Sequence, residues 1–183
     1  MSKSALLVMD IQQGIVSRFT EGFPDYLPRL GQAIATARSA RLPVIYVVVG
    51  FRAGYPEVSS RNRGFGAITD SGGMLIGERD TEIHPDITPQ GSDIVVTKRR
   101  VSAFAGSDLD VVLRASDIDT LVLSGIATSG VVLSTLRQAA DLDYRITVLS
   151  DGCLDGDEEV HRVLTTKVFP RQAEVCRIEN WIP

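Results

Sequence analysis

Three features that could take part in a chemical reaction follow apolar runs of the sequence. They are an aspartate, a lysine, and a turn rich in glycine and small hydroxyl residues. Asp10 follows the run ALLVM, Lys98 closes the run IVVTK, and the stretch SGIATSGVVLST begins at Ser124. A partly desolvated carboxyl group has a raised pKa and can transfer a proton, and a nearby ammonium group stabilises negative charge. Free amides at a helix start can bind an anionic group. Together these features predict acid–base chemistry on a small molecule.

Each feature also has a purely structural interpretation. An aspartate at a strand end can cap a turn or form a salt bridge, and a lysine there is more often a solvated charge. Thr128 or Ser129 can cap the helix that follows, and Gly125 and Gly130 allow unusual backbone angles. Position alone therefore leaves both interpretations open.

The chain has two cysteines and two histidines. Cys153 follows a predicted strand, but buried structural cysteines are common, so we favour a structural role over a catalytic one. Cys176 lies inside an apolar run and is predicted to be in the core. No CxxC or HxxxH spacing exists, so no metal site is predicted, and neither His84 nor His161 is assigned a role.

Short apolar runs alternate with segments of helical period, which predicts a parallel α/β sheet. The runs are continuously apolar, as is typical of strands covered by helices on both faces. The predicted strands cover residues 5–9, 44–49, 94–96, 121–123, 146–149 and 174–178, and the predicted helices cover 26–39, 109–115, 130–142 and 158–169. Ligands of doubly wound sheets bind beyond the carboxyl ends of the strands, so Asp10, Lys98 and the turn should converge on one pocket.

The composition bounds the class of protein. The 183 residues are 44% hydrophobic and 23% charged, which predicts one globular domain over residues 1–183. A net charge of −4 argues against nucleic-acid and anionic-membrane partners. The apolar stretch near the start is too short for a signal peptide or a membrane span, so a cytoplasmic setting is expected.

From Gly50 to Gly91 the chain is rich in Gly, Pro and Ser without a sustained period, which predicts a lid or binding loop.

Several sequence blocks, in order, resemble the isochorismatase-like hydrolase family, also called cysteine hydrolases. The blocks are ALLVMDIQQGIV, FRAGYPEVSSRN, KRRVSAFAGSDLDVVLR, LVLSGIATSGVVLSTLRQAADLDY and VLSDGCLDGDEEVHRVLTTKVFPRQAEV. The resemblance implies a three-layer α/β/α fold of the Rossmann-like, doubly wound type, with a six-stranded parallel sheet of order 3-2-1-4-5-6. It also implies a homodimer or higher homo-oligomer that acts on a small-molecule substrate. No cofactor is expected.

The same resemblance suggests roles for individual residues. The family's catalytic aspartate and lysine fall on Asp10 and Lys98. Its non-proline cis peptide, which shapes an oxyanion hole, falls on the bond between Ile126 and Ala127. Substrate contacts are predicted for four further residues: Gln12, Phe104, Ser129 and Gly130.

The chain departs from the amidase members of the family at Val131, where they carry the nucleophilic cysteine. Valine cannot form a covalent adduct. The Asp-x-His-type metal cluster of the nicotinamidases also has no counterpart in the segment GFRAGYPEVS. Isochorismatases resemble this chain in lacking the cysteine, and they cleave a vinyl ether, for which a proton donor can suffice.

The sequence therefore predicts a hydrolase that acts on a small anionic molecule without a cysteine nucleophile, with Asp10 as the acid and Lys98 as its partner. Two alternatives stay open. The first is a catalytically silent relative that binds a small molecule or another protein. The second is a thiol amidase that uses Cys153.

Overall fold

The computed structural model describes residues 3–183, which form six strands, six α-helices and several single helical turns. The strands are β1 (Ser4–Met9), β2 (Val44–Val49), β3 (Ile94–Lys98), β4 (Thr120–Ile126), β5 (Arg145–Leu154) and β6 (Glu174–Cys176). The helices are α1 (Gln13–Phe19), α2 (Tyr26–Ser39), α3 (Arg63–Ser71), α4 (Leu109–Ala115), α5 (Leu133–Asp141) and α6 (Glu158–Val163). Among residues 3–183, no helix combines the length and apolar character that a membrane crossing requires.

All six strands are parallel and lie in the order β3-β2-β1-β4-β5-β6, which confirms the predicted topology. The chain builds outward from β1 in one direction and from β4 in the other. The switch point of the sheet therefore lies between β1 and β4, next to the residue that follows β1.

The central strand β1 shows why the apolar runs are continuous. Leu6 and Val8 pack in the cluster that contains residues of α1 and α2. Leu7 and Met9 pack in a second cluster, together with residues of α4 and α5. Because successive side chains of a strand point to opposite faces, both faces of the sheet are buried under helices, and the predicted three-layer fold is confirmed.

The stretch from Gly50 to Gly91 contains more regular structure than its sequence predicts. The Asn62 side chain accepts a hydrogen bond from the Phe65 amide (3.1 Å) and caps α3. Gly72, with a φ of 70°, ends the helix. The prediction missed α1 and α3, which have seven and nine residues.

Two predicted helices change character within their length. Residues 128–132 form a π-type turn before α5 begins at Leu133, and the helix predicted over 158–169 leaves the α conformation after Val163. The N-cap position of the first turn is Ala127, so neither Thr128 nor Ser129 caps it, contrary to expectation. The last strand, predicted over 174–178, ends at Cys176.

Strand β5 runs five residues beyond its predicted end at 149 because its pairing with β4 is irregular. Leu123 pairs with Val148 but Gly125 pairs with Cys153, so two steps along β4 correspond to five along β5. Gly125 has a φ of 141°, and a Cβ atom there would lie 2.2 Å from the Met9 carbonyl oxygen. Only glycine fits where β1 and β4 approach each other at this end of the sheet.

Candidate active site

The structure brings Asp10 and Lys98 together. Asp10 directly follows β1 with a φ of 57°, and its amide donates to the Val47 carbonyl oxygen (2.8 Å). Lys98 is the last residue of β3, two strands away in the sheet. Its Nζ lies 3.0 Å from Asp10 Oδ2, with side-chain exposures of 2% for the lysine and 9% for the aspartate. Both residues therefore lie at the carboxyl ends of strands, the region where doubly wound sheets bind ligands.

The two carboxylate oxygens of Asp10 have different surroundings. Oδ2 contacts the Lys98 ammonium group, which also donates to the Arg100 carbonyl oxygen (3.0 Å). Oδ1 is buried and has no hydrogen-bond partner among residues 3–183. Burial raises the pKa of Asp10 above 3.8, and the charge and hydrogen bond of Lys98 oppose this rise without cancelling it. The site thus contains a carboxyl group with a raised pKa and one unengaged oxygen.

The turn after β4 begins beside this pair. Gly125 lies opposite Met9 in the ladder, and the peptide between Ile126 and Ala127 is cis. Val131 is 2% exposed and packs in the core cluster on the α4–α5 side of the sheet. This position therefore holds a buried apolar side chain with no nucleophilic atom.

Internal partners occupy the amides at two residues that were predicted to bind substrate. The Ser129 amide donates to Asp155 Oδ2 (2.6 Å). The Gly130 amide donates to the Ala127 carbonyl oxygen (3.0 Å). An anionic ligand would have to replace these contacts or use other donors.

Two residues without a predicted role contact the turn. His161 Nδ1 lies 2.8 Å from Thr128 Oγ1, and the Asp155 carboxylate accepts from the next residue, Ser129. Burial lowers the pKa of His161, against a smaller opposing effect of the Asp155 charge, so the imidazole is neutral at neutral pH. No spacing signal in the sequence could reveal these contacts, because they span 33 and 26 residues and depend on how α6 packs.

The Gln12 side chain holds backbone groups together in this structure. Its Nε2 donates to the carbonyl oxygens of Val49 (2.8 Å) and Thr81 (2.9 Å), and its Oε1 accepts from the Val49 amide (2.8 Å). Gln12 is fully buried. The Gln12 side-chain amide thus links the segment around Thr81 to the end of β2. The predicted contact of Gln12 with substrate stays a prediction.

Phe104 lies in the segment between β3 and α4. It is buried in the cluster that contains Val131, and its ring centroid lies 6.0 Å from that of Tyr144. The segment is fixed to α5 by a hydrogen bond from the Ala103 amide to Thr135 Oγ1 (2.9 Å). Phe104 therefore packs on the same side of the sheet as the turn, and a substrate contact is likewise still a prediction.

Cys153 has the properties of an inert core residue. It is 3% exposed, and burial raises the pKa of its thiol to about 12. Its Sγ atom lies 3.9 Å from the Leu123 carbonyl oxygen. A thiol that stays protonated at neutral pH is a poor nucleophile, which argues against the thiol amidase alternative. Cys176 is only partly buried, in contrast to its predicted place in the core.

A cavity of about 690 Å³ opens next to the turn, between α2, the end of β5 and α6. Its lining includes Tyr26, Arg29, Cys153, Asp155 and His161. Asp10, Lys98 and Val131 do not line it. Within residues 3–183 there is also no group of three or more His, Cys, Asp or Glu residues that could hold a metal ion.

Comparison with known proteins connects this geometry to a family. The family model described as the isochorismatase domain matches residues 4–180. The chain belongs to the isochorismatase family. The fold and the predicted family membership are thereby confirmed, and the protein is an isochorismatase-family hydrolase.

Relatives within the isochorismatase family span nearly the whole chain. The uncharacterized family protein YecD of Escherichia coli O157:H7 is 32% identical, over 97% of this chain and 93% of YecD. The ureidoacrylate amidohydrolase RutB of Stutzerimonas stutzeri is 32% identical, over 98% of this chain and 77% of RutB. The solved structure of N-carbamoylsarcosine amidase from Thermoplasma acidophilum is 28% identical, with a TM-score of 0.83 and 99% of each chain covered.

Proposed function

We propose that the protein hydrolyses the enol ether group of a small anionic molecule, and that Asp10 is the proton donor. The observation that supports this proposal is the Asp10–Lys98 pair. One oxygen of a buried carboxyl group is engaged by an ammonium group at 3.0 Å, and the other oxygen has no partner among residues 3–183. Because burial raises its pKa, such a group holds its proton to higher pH than a solvated carboxyl group and can deliver it in a fixed place.

The reaction needs no covalent bond to the protein. The Asp10 carboxyl group donates its proton to the enol carbon, and the ether carbon becomes an oxocarbenium ion. A water molecule adds to that carbon and returns a proton to the Asp10 carboxylate. The resulting hemiketal then breaks its carbon–oxygen bond and releases an alcohol and a carbonyl compound. Valine at position 131 is compatible with every step.

Lys98 supports this chemistry by charge and by position. When Asp10 loses its proton, the ammonium group 3.0 Å away stabilises the new carboxylate. Its hydrogen bond to the Arg100 carbonyl oxygen fixes the end of the lysine side chain. The same positive charge favours a substrate with a carboxylate near the reacting bond.

A second candidate function is that of a non-catalytic binding protein. Asp10, Lys98 and Val131 are all buried, and the cavity of about 690 Å³ beside the turn does not include them. This closed arrangement favours a protein that binds a ligand next to the pair without turning it over. Ligand binding in calorimetry, with no turnover, is the result expected for this alternative.

The test is hydrolysis of a panel that contains isochorismate, simpler enol ethers, ureidoacrylate and N-carbamoylsarcosine. The variant is Asp10→Asn, and Asp141→Asn on the exposed side of α5 is the matched control. Loss of a general acid should lower kcat by at least about 100-fold in Asp10→Asn, while Asp141→Asn keeps the wild-type rate. Melting temperatures of all three proteins separate this effect from unfolding. Equal background rates for the wild type and Asp10→Asn on every compound would refute the proposal.

A further inference from the structure

Two consecutive residues of the turn after β4 are held by side chains from one neighbouring segment. The Ser129 amide donates to Asp155 Oδ2 at 2.6 Å, and Thr128 Oγ1 lies 2.8 Å from His161 Nδ1. Asp155 directly follows β5 and His161 lies on α6. The segment from β5 to α6 therefore forms two hydrogen bonds with the turn, immediately after the cis peptide.

The contact from Asp155 is a charge-assisted hydrogen bond in a buried place. Asp155 is 9% exposed, and its second oxygen accepts from the Asp157 amide (3.4 Å). A buried carboxylate needs donors, and a backbone amide beside it gains a strong acceptor, so each group fixes the other. The direction of the Ser129 amide is thus set by Asp155.

The contact from His161 fixes the preceding residue. Thr128 is fully buried, so its hydroxyl group has no access to water and depends on the imidazole. The helix that carries His161 is capped at its first turn, because the Asp157 side chain accepts from the amides of Glu159 (2.9 Å) and Val160 (3.1 Å). The turn is therefore attached to the capped end of α6.

We propose that Asp155 and His161 are positioning residues, which hold the turn of residues 127–131 in place beside Asp10. This inference rests on the proposed function. The turn follows β4, whose residue Gly125 lies directly opposite Met9, so a shift of the turn changes the wall of the site next to the proton donor. A displacement of about 1 Å at a reacting centre can cost about 100-fold in rate. Neither residue needs to touch the substrate.

The experiment compares variants that remove or retain the hydrogen-bonding partner of the turn. Asp155→Ala and His161→Leu remove it, while Asp155→Asn leaves an oxygen that can accept from the Ser129 amide and His161→Asn leaves an amide group that can accept from or donate to Thr128. Asp141→Asn, at the exposed end of α5 and outside the cavity lining, is the matched control. Kinetics use the compound of the panel that the wild type hydrolyses, and amide hydrogen exchange at Ser129 is followed by NMR.

Asp155→Ala and His161→Leu are expected to lower kcat by about 100-fold with a much smaller change in KM. Asp155→Asn and His161→Asn should recover most of the rate, and Asp141→Asn should match the wild type. Exchange of the Ser129 amide should accelerate in Asp155→Ala and stay slow in Asp155→Asn. A purely structural role would lower the melting temperature without this separation of kcat from KM or this rescue.

The result that overturns the inference is a wild-type kcat in Asp155→Ala and His161→Leu, whatever their melting temperatures. If the wild type hydrolyses no compound of the panel, the proposed function fails, and hydrogen exchange still decides whether Asp155 holds the turn. Slow exchange at Ser129 in folded Asp155→Ala would then reject the inference, and fast exchange confined to that variant would support it.

Discussion

Asp10 contacts Lys98 through Oδ2 alone, and its Oδ1 atom is buried with no hydrogen-bond partner among residues 3–183. A structural salt bridge gains most when all polar atoms of the buried carboxylate are satisfied, because an unpaired buried oxygen costs free energy. The pair in this protein leaves one oxygen unsatisfied. That asymmetry suits a group that exchanges a proton with a ligand.

The pH dependence of the reaction follows from this environment. Burial raises the pKa of Asp10 above 3.8, and only the protonated acid can donate, so kcat/KM should fall as pH rises through the raised pKa. The stability contributed by this group is fully present below the unfolded pKa and is lost as pH rises through the folded pKa. A pH profile of kcat/KM and unfolding free energies at several pH values check both statements. A rate that increases over the same range would contradict the role of Asp10 as an acid.

Replacing Lys98 by methionine should move this profile to higher pH. The lysine charge and hydrogen bond lower the pKa of Asp10, so their loss leaves the effect of burial unopposed. The maximal rate should also fall, because the carboxylate formed after proton transfer loses its partner. Lys167→Met, at an exposed position, serves as the control. An unchanged midpoint in Lys98→Met would show that the two groups do not interact.

Val131→Cys tests whether this position is where a nucleophile would stand. The substitution is close to volume-conserving and should cost about 1.5 kcal/mol or less in stability. We expect hydrolysis of ureidoacrylate or N-carbamoylsarcosine to appear in Val131→Cys and to be blocked by iodoacetamide, because Asp10 and Lys98 are available to assist a thiol. Val132→Cys, one residue further in the same buried turn, should remain inactive. Equal activity in the two variants would contradict the assignment.

Cys153 should be chemically silent. With a thiol pKa of about 12, the thiolate fraction at pH 8 is on the order of one in ten thousand. Iodoacetamide at pH 8 should therefore modify the partly exposed Cys176 first, which peptide mass mapping can follow. Cys153→Ala should keep the activity of the wild type. Loss of activity in a folded Cys153→Ala protein would revive the thiol mechanism.

Gly125→Ala should destabilise the fold and disturb the site together. A Cβ atom there would meet the Met9 carbonyl oxygen at 2.2 Å, and this backbone contact cannot be relieved by a side-chain rotation. We expect a loss of at least about 2 kcal/mol in unfolding free energy, measured by urea denaturation. Gly22→Ala, where a Cβ atom meets nothing within 4 Å, should be nearly neutral.

The sequence predicts the sheet well because burial on both faces forces its strands to be apolar throughout. The same logic finds Asp10 and Lys98, the polar residues where such runs end. It does not find α1, or α3 within the segment rich in Gly, Pro and Ser, and it does not find the contacts of His161 and Asp155, which join distant segments. The family resemblance suggests a ligand contact for Gln12, but its polar atoms bind backbone groups of Val49 and Thr81.

The irregular pairing of β4 with β5 determines how far beyond the sheet Asp155 lies. Between the pairs Leu123–Val148 and Gly125–Cys153, β5 uses three more residues than β4. At about 3.3 Å per residue, a regular ladder would carry Asp155 roughly 10 Å further out, past the amide that it now meets. Residues 149–152, which lie between the paired residues Val148 and Cys153, therefore act as a spacer of fixed length. Relatives that shorten or lengthen this spacer would have to anchor their turn with a different residue.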